Sequence, residues 1–147
     1  MKIRLTKEFA FEASHALNNY DGLCRNIHGH SYKLFVTVMG EPNRDVAGPK
    51  YGMVMDFGDL KRIVQANIVE LYDHALVLNR NNPYVAHVER MNTKLVLTDY
   101  QPTCENMLCE FVETISSRLP EGIRLVKIRL HETATSFAEW QYEDNLE

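Results

Sequence analysis

Two histidines, His28 and His30, stand two residues apart in a stretch where apolar and polar residues alternate. In a β-strand, side chains two residues apart point to the same side, so both imidazoles can reach one ion. Gly29 between them points the other way and leaves room for a close backbone approach. The pair alone does not distinguish a metal site from two ordinary histidines at the end of a strand.

A third histidine, His15, stands at the end of the preceding predicted strand. If the two strands pair antiparallel, the end of the first lies beside the start of the second, which brings His15 next to His28 and His30. Three neutral imidazoles suit Zn²⁺ and leave a fourth position open, whereas a structural site normally fills that position with a protein ligand. Zinc with an open position acts as a Lewis acid on a bound oxygen. We therefore predict a catalytic zinc site on these three histidines.

The cysteines are Cys24, Cys104 and Cys109, an odd number whose spacing resembles no secreted disulfide framework. Cys24 lies in the loop between the histidines and is open to three interpretations: a metal ligand, a free buried thiol, or a catalytic base or nucleophile. A nearby dication would favour its thiolate. Cys104 and Cys109 fall on a predicted helix, and we interpret both as core or surface residues.

Two further positions could carry acid–base chemistry. Asp73 and His74 end the first long predicted helix, where the helix terminus favours a protonated imidazole and the adjacent carboxylate can orient it. They are a candidate proton shuttle, or else an exposed polar pair at a helix end. Glu132 ends an otherwise apolar strand face and, if buried, needs hydrogen-bond donors. A ligand that presents two parallel N–H groups, such as the amino-pyrimidinone edge of a pterin, would supply them, and a protein Arg or Lys is an equal alternative.

The elements that must position these residues follow from the spacing of apolar residues. Period-two alternation predicts four strands, at residues 3–13, 28–41, 123–132 and 137–143. Helical spacing predicts one helix from the N-cap Asp56 to about Tyr72, and a second from Thr103 to about Leu119. Hairpins at both ends favour an antiparallel four-stranded sheet with both helices packed on one side, an α+β fold. The open edges of such a sheet favour an oligomer.

The chain, residues 1–147, shows no repeat, low-complexity stretch or linker, so we expect a single domain. Its least readable segment, residues 79–102, has a short helix predicted near Val85–Arg90 and a strand near Lys94–Thr98. A formal net charge of −4 argues against a nucleic-acid-binding protein. We expect no signal peptide, no membrane span and no dinucleotide cofactor, and the cysteine usage fits a reducing cytoplasm.

Six short motifs, in one order along the chain, resemble segments of the 6-pyruvoyl-tetrahydropterin synthases and their relatives. They are Phe11-Glu12-Ala13-Ser14-His15, Cys24-Arg25-Asn26-Ile27-His28-Gly29-His30, Met55-Asp56-Phe57 with Leu60, Leu71-Tyr72-Asp73-His74, Pro102-Thr103-Cys104-Glu105-Asn106 and His131-Glu132-Thr133. Each motif is modest alone, but six in order over most of the chain are very specific.

The resemblance implies the tunnelling fold, in which subunits assemble into barrels, typically as a hexamer built from two trimers. It implies Zn²⁺ on the three histidines, Cys24 as the catalytic thiol, and Asp73 with His74 as its proton relay. Active sites of such proteins lie at subunit boundaries and act on a pterin triphosphate. The residues that the resemblance assigns to the pterin ring are Glu132 as its anchor, with Thr103 and Glu105 beside it.

The family contains more than one activity on 7,8-dihydroneopterin triphosphate. The pyruvoyl branch eliminates triphosphate, and the queuosine-pathway branch gives 6-carboxy-5,6,7,8-tetrahydropterin, acetaldehyde and triphosphate. Three residues separate Cys24 from His28, which is similar to the queuosine branch, whereas the pyruvoyl branch has a longer gap. The resemblance therefore implies the zinc-dependent carboxy synthase, a lyase, with residues 79–101 longer than in its compact members. The alternatives are the pyruvoyl synthase, a non-catalytic pterin-binding protein of the same fold and, last, a zinc hydrolase.

Overall fold

The computed structural model describes residues 1–146, which contain six strands and four helices. The strands are β1 (Ile3–His15), β2 (His28–Gly40), β3 (Ala75–Asn79), β4 (Leu95–Thr98), β5 (Arg124–His131) and β6 (Phe137–Gln141). The helices are α1 (Phe57–Val64), α2 (Glu70–Tyr72), α3 (Val85–Glu89) and α4 (Cys104–Ser116). A π-helical segment, Gln65–Val69, joins α1 to α2, so the first long helix ends at Tyr72 as predicted.

The strands form one mixed sheet in the order β4-β3-β1-β2-β5-β6. The four predicted strands are its antiparallel part, β1-β2-β5-β6, and the α+β class is confirmed. The sheet is larger than the four strands expected, because β3 and β4 extend it in parallel beyond β1. All five residues of β3 are buried or half-buried, so β3 lacks the alternation that predicts a strand.

The core lies between one face of the sheet and the helices α1 and α4. Its fully buried side chains include Phe11 from β1, Tyr32 from β2, Leu60 from α1 and Phe111 from α4. The helices therefore cover one side of the sheet, as the sequence predicts. No helix among the described residues is long and apolar enough to cross a lipid bilayer.

Side-chain caps fix where α1 and α4 begin. The carboxylate of Asp56 accepts a hydrogen bond from the Gly58 N–H at 2.7 Å, and Thr103 Oγ1 accepts one from the Asn106 N–H at 3.2 Å. Such caps satisfy donors that a helix leaves unpaired in its first turn. The cap of α4 also fixes the place of Thr103 and of Glu105, which lies in the first turn.

β1 is an edge strand over most of its length. On the side away from β2, its partner among the described residues is β3, which pairs only with Ala13–His15. Residues 3–12 have no neighbouring strand on that side, and neither has the outer edge of β6 within the described chain. Such rows of unpaired N–H and C=O groups favour pairing with another chain.

The segment 79–101 folds against the end of β1. Its predicted short helix and strand are present as α3 and β4, at Val85–Glu89 and Leu95–Thr98. With β3 they close a second apolar cluster, whose buried members are Ala16, Leu78 and Val88. Because Ala16 follows His15 in the chain, this cluster packs beside the end of β1 that carries the histidine.

Candidate metal centre and adjoining cleft

The three histidines meet on the β1–β2 hairpin. The antiparallel register places His15 opposite His28, and Ala13 opposite His30. All three imidazoles therefore leave the same face of the sheet, and one nitrogen from each lies within 4.8 Å of the others. The three histidines are therefore adjacent, as their spacing in the sequence predicts, and they are positioned to bind a metal ion.

Backbone carbonyls determine which ring nitrogen of two histidines carries the proton. His15 Nδ1 lies 2.7 Å from the carbonyl oxygen of Pro102, and His28 Nδ1 lies 2.7 Å from that of Asn26. A carbonyl oxygen only accepts hydrogen bonds, so both Nδ1 atoms carry hydrogen. In the neutral rings, both Nε2 atoms are therefore left with lone pairs, which is the arrangement that metal-bound histidines show.

The free nitrogens converge without a donor between them. Nε2 of His15 lies 3.0 Å from Nε2 of His28, a distance at which two lone pairs repel unless a cation binds both. Nε2 of His30 is buried and has no hydrogen-bond partner among residues 1–146. A divalent cation that prefers imidazole ligands fits this donor set, and Zn²⁺ is such a cation.

Burial keeps two of these rings neutral. The pKa of His15 falls from 6.5 to about 4, because burial, together with the smaller effects of His28 and His30, outweighs the hydrogen bond to the Pro102 carbonyl, which raises it. Burial also lowers the pKa of His30, although the nearby Glu132 carboxylate opposes that change. Histidine binds metal only when neutral, so both rings are in the binding form at pH 7.

An aromatic wall backs the histidines. The Tyr32 ring lies 5.6 Å from the His30 ring and stacks on Phe11 at 5.0 Å, measured between ring centroids. Its hydroxyl is buried without a hydrogen-bond partner in the described chain, and burial raises the pKa of Tyr32 far above its usual 10. The hydroxyl therefore stays protonated, and the Tyr32 ring separates the histidines from Phe11 in the core.

A cleft of about 320 Å³ opens beside the histidines. Its walls include five residues that the sequence singled out, which are His15, Cys24, Thr103, Glu105 and Glu132. Cys24 lies in a short 3₁₀ turn, Leu23–Arg25, whose position is fixed by a hydrogen bond from the Leu17 N–H to the Cys24 carbonyl at 2.9 Å. The half-buried thiol is thus held beside the histidines without a disulfide partner.

Glu132 meets a histidine and no protein cation. Its carboxylate Oε1 lies 3.9 Å from His30 Nε2, and its side chain is 27% exposed. No Lys or Arg nitrogen of residues 1–146 lies within 4.0 Å of this carboxylate. The alternative in which Glu132 pairs with a protein Arg or Lys therefore does not apply to this chain alone. The carboxylate is free to accept hydrogen bonds from a molecule in the cleft.

Two aromatic residues of the cleft wall were not predicted, Tyr20 and Phe137. Phe137 is 48% exposed, and the guanidinium of Arg129 lies 4.1 Å from the centre of its ring, which holds the ring at the mouth of the cleft. Their sequence positions carried a signal: Tyr20 lies in the loop between the histidines, and Phe137 begins the last predicted strand.

Asp73 and His74 contact each other, but they lie outside the cleft. The Asp73 carboxylate accepts a hydrogen bond from the Glu12 N–H at 2.9 Å and lies 3.0 Å from His74 Nδ1. The Glu12 hydrogen bond, followed by that to His74, lowers the pKa of Asp73. Neither residue lines the cleft; His74 borders a separate shallow depression with Glu12, Ser14 and Ser31. Glu12, Ser14 and Ser31 alternate with the three histidines along β1 and β2, so their side chains leave the opposite face of the sheet, although His30 also borders the depression.

Comparisons with known proteins agree with one another. The model of the 6-pyruvoyl tetrahydropterin synthase family matches residues 4–143. A 6-carboxy-5,6,7,8-tetrahydropterin synthase from Haemophilus influenzae is 37% identical over 144 residues, covering 94% of this chain and 98% of the relative. One from Aquifex aeolicus is 30% identical, covering 97% and 100% of the two chains.

Solved structures share the fold. An uncharacterized protein from Wolinella succinogenes has a TM-score of 0.79 at 22% identity, covering 97% of this chain and 99% of the other. The 6-pyruvoyl tetrahydropterin synthase of Caenorhabditis elegans has a TM-score of 0.68 at 24% identity, covering 96% of each chain. At these identities the similarity shows the tunnelling fold alone.

Proposed function

The chain belongs to the 6-pyruvoyl tetrahydropterin synthase family, and from this premise we propose that it is a zinc-dependent 6-carboxy-5,6,7,8-tetrahydropterin synthase of the queuosine pathway. The reaction converts 7,8-dihydroneopterin triphosphate to the carboxy-pterin, acetaldehyde and triphosphate. The observation that carries the proposal is one cleft that holds Cys24 and Glu132 beside three converging imidazoles. The relatives named for this product, and the short Cys24–His28 spacing, support the carboxy branch over the pyruvoyl branch.

His15, His28 and His30 hold the zinc ion in this proposal, which when bound supplies a Lewis acid for the oxygens of the substrate side chain. The carbonyls of Pro102 and Asn26 orient two of the imidazoles towards the ion, and the buried Tyr32 ring packs behind His30. The metal ligands are thus held in place before the substrate arrives, and binding requires little rearrangement of them.

Glu132 anchors the pterin ring. Its carboxylate has no Lys or Arg partner within the described chain, so it can accept two parallel N–H groups from the amino-pyrimidinone edge. Thr103 and Glu105 lie at the start of α4 on the same cleft and contact the ring from its side. With the ring fixed there, the substrate side chain points to His15 and to the Cys24 thiol. Cys24, as the thiolate, removes a proton from that side chain.

Asp73 and His74 act as the proton relay of a neighbouring copy of the chain. Within one chain they do not line the cleft, but they cap the open edge of β1 at Glu12. The cleft, in turn, is lined by Phe137 at the start of β6, the opposite edge of the sheet. Pairing of β6 of one copy with β1 of the next therefore brings the pair beside a cleft.

The same pairing of β6 with β1 determines how copies of the chain assemble. A β6-to-β1 contact is heterologous, because its two surfaces differ, and it closes into a ring when the rotation between copies allows it. We propose that three such sheets form a barrel and that two barrels form a hexamer, as the family resemblance implies. The closed barrel leaves no unpaired strand at residues 3–12. The Cys24 thiol in the cleft and the hydrogen-bonded Asp73–His74 pair favour an enzyme over a protein that only binds pterins.

Product analysis tests the proposal. Zinc-loaded protein is incubated with 7,8-dihydroneopterin triphosphate, and the products are identified by mass spectrometry, with acetaldehyde trapped as its hydrazone. We expect equal amounts of the carboxy-pterin and acetaldehyde. A 6-pyruvoyl product without acetaldehyde would place the chain in the other branch of the family. Unchanged substrate would reject both synthases and leave the pterin-binding alternative.

A further inference from the structure

Lys94 lies at the C-terminal end of the helix that precedes the Asp73–His74 pair. Its Nζ donates hydrogen bonds to the carbonyl oxygens of Glu70 at 2.6 Å and of Asp73 at 2.7 Å. A helix leaves its last carbonyls unpaired, and the negative end of its dipole attracts a cation. The charge of Lys94 therefore lies at the helix end, where it stabilises the unpaired carbonyl groups. It comes from the segment 79–101, for which no motif suggested a role.

The main chain of Lys94 makes a second connection. The N–H of Leu76, two residues after His74, donates to the carbonyl oxygen of Lys94 at 2.9 Å, as part of the pairing between β3 and β4. The side chain of Lys94 thus holds the residues before His74, and its main chain holds those after. Lys94, the residue that precedes β4, therefore contacts the chain both before and after His74.

The backbone of His74 needs such support. Its φ of 60° lies in the left-handed region, which residues other than glycine rarely adopt. The His74 N–H donates to the Glu12 carbonyl at 2.6 Å, and the Asp73 carboxylate accepts from the Glu12 N–H at 2.9 Å. The pair is therefore held between β1 on one side and Lys94 on the other.

We propose that Lys94 is a positioning residue for the relay, which fixes the Asp73 carbonyl and thereby the direction of the His74 imidazole. Lys94 does not touch the substrate; it acts through His74, and the inference rests on the proposed function for its activity readout. The insert 79–101 then serves to brace the catalytic pair. Its other contacts agree, since Gln101 and Asn18 exchange hydrogen bonds at 3.0 and 2.7 Å and so hold the loop that leads to Cys24.

Kinetics of Lys94→Met test the proposal, with Lys94→Arg as the conservative variant and Lys61→Met as the control. Lys61 is an exposed lysine of α1 for which the described residues offer no ion pair or side-chain hydrogen bond. We expect Lys94→Met to lower kcat about 10-fold, with KM and bound zinc within about twofold of wild type. Lys94→Arg keeps a cation near both carbonyls and should restore most of kcat, while Lys61→Met should behave as wild type.

Amide hydrogen exchange gives a readout that does not depend on catalysis. We expect the His74 amide of Lys94→Met to exchange about 10-fold faster than in wild type, with the amides of Phe111 and its helix unchanged. If wild type shows no turnover but this local exchange effect appears, the proposed function fails and the positioning role stands. Wild-type kcat and exchange in Lys94→Met would overturn the proposal. A fall in zinc content or unfolding temperature that matches the fall in kcat would also overturn it.

Discussion

His15 Nε2 and His28 Nε2 lie 3.0 Å apart although each ring uses its proton in a hydrogen bond to a backbone carbonyl. Two neutral imidazoles in this arrangement repel each other, and the contact becomes favourable when one cation accepts both lone pairs. The carbonyls of Pro102 and Asn26 thus hold the two Nε2 atoms together in an orientation that suits a shared cation.

Removal of one ligand should therefore abolish tight metal binding. We expect His28→Ala to weaken zinc binding by about 100-fold or more, because two imidazoles do not complete the site. The measurement is zinc content by plasma mass spectrometry after dialysis against a weak chelator. His87→Ala, at an exposed position of α3, is the matched control and should keep the wild-type metal content. Wild-type zinc in His28→Ala would remove His28 from the site.

Glu132 should control affinity for the pterin. Glu132→Gln keeps the size of the side chain but replaces one acceptor oxygen by an NH₂ group and removes the charge. Loss of a charge-assisted hydrogen bond should weaken binding of 7,8-dihydroneopterin about 10- to 100-fold, measured by calorimetry. The control is Glu113→Gln, an exposed position of α4, which should bind as wild type. Equal affinities of Glu132→Gln and wild type would contradict the anchoring role.

Two inactive variants should restore each other's activity. Cys24→Ala and His74→Ala each should lose about 100-fold or more in kcat when assembled alone. After unfolding and joint refolding of an equal mixture, we expect about a quarter of the wild-type rate, because one cleft in four joins an intact Cys24 to a neighbour's intact His74. The rate is measured per chain. No recovery in mixed oligomers would show that both residues serve the same chain's cleft.

Burial should separate the reactivity of Cys104 and Cys109. The Cys104 thiol donates to the Leu130 carbonyl at 3.3 Å, and burial raises its pKa from 9.0 to about 11. Since only the thiolate reacts, alkylation of Cys104 should rise about tenfold per pH unit up to that pKa. At pH 8, we expect iodoacetamide to label the exposed Cys109 and leave Cys104 intact, as read by peptide mass spectrometry. Equal labelling at pH 8 would contradict this.

The sequence predicts those parts of the protein that depend on neighbours in the chain. Period-two alternation in β1 and β2 places His15, His28 and His30 on one face, and the structure confirms it. The N-cap Asp56 and the start of a helix at Thr103 are likewise predicted from local signals, and both are present. The family relationship, read from six motifs in order, is also confirmed.

Other features depend on contacts between distant segments, which no local pattern encodes. Strand β3 is covered on both sides, so its five residues carry no alternation that would distinguish it from a loop. The Asp73–His74 pair follows the expected helix end, but its place on the other face depends on Glu12, 61 residues from Asp73. The roles of Cys24, Glu132, Thr103 and Glu105 stay predictions, and so does the single-domain organisation of residues 1–147.

The pairing of His15 with His28 has a consequence for how the hairpin finds its alignment. A slip of one residue between β1 and β2 turns every side chain of one strand to the other face, so His15 would point away from His28 and His30. An ion that needs all three imidazoles binds the native alignment alone and shifts the population of hairpins towards it by mass action. Such an ion would therefore also select the correct alignment of the two strands with which β3 and β5 pair.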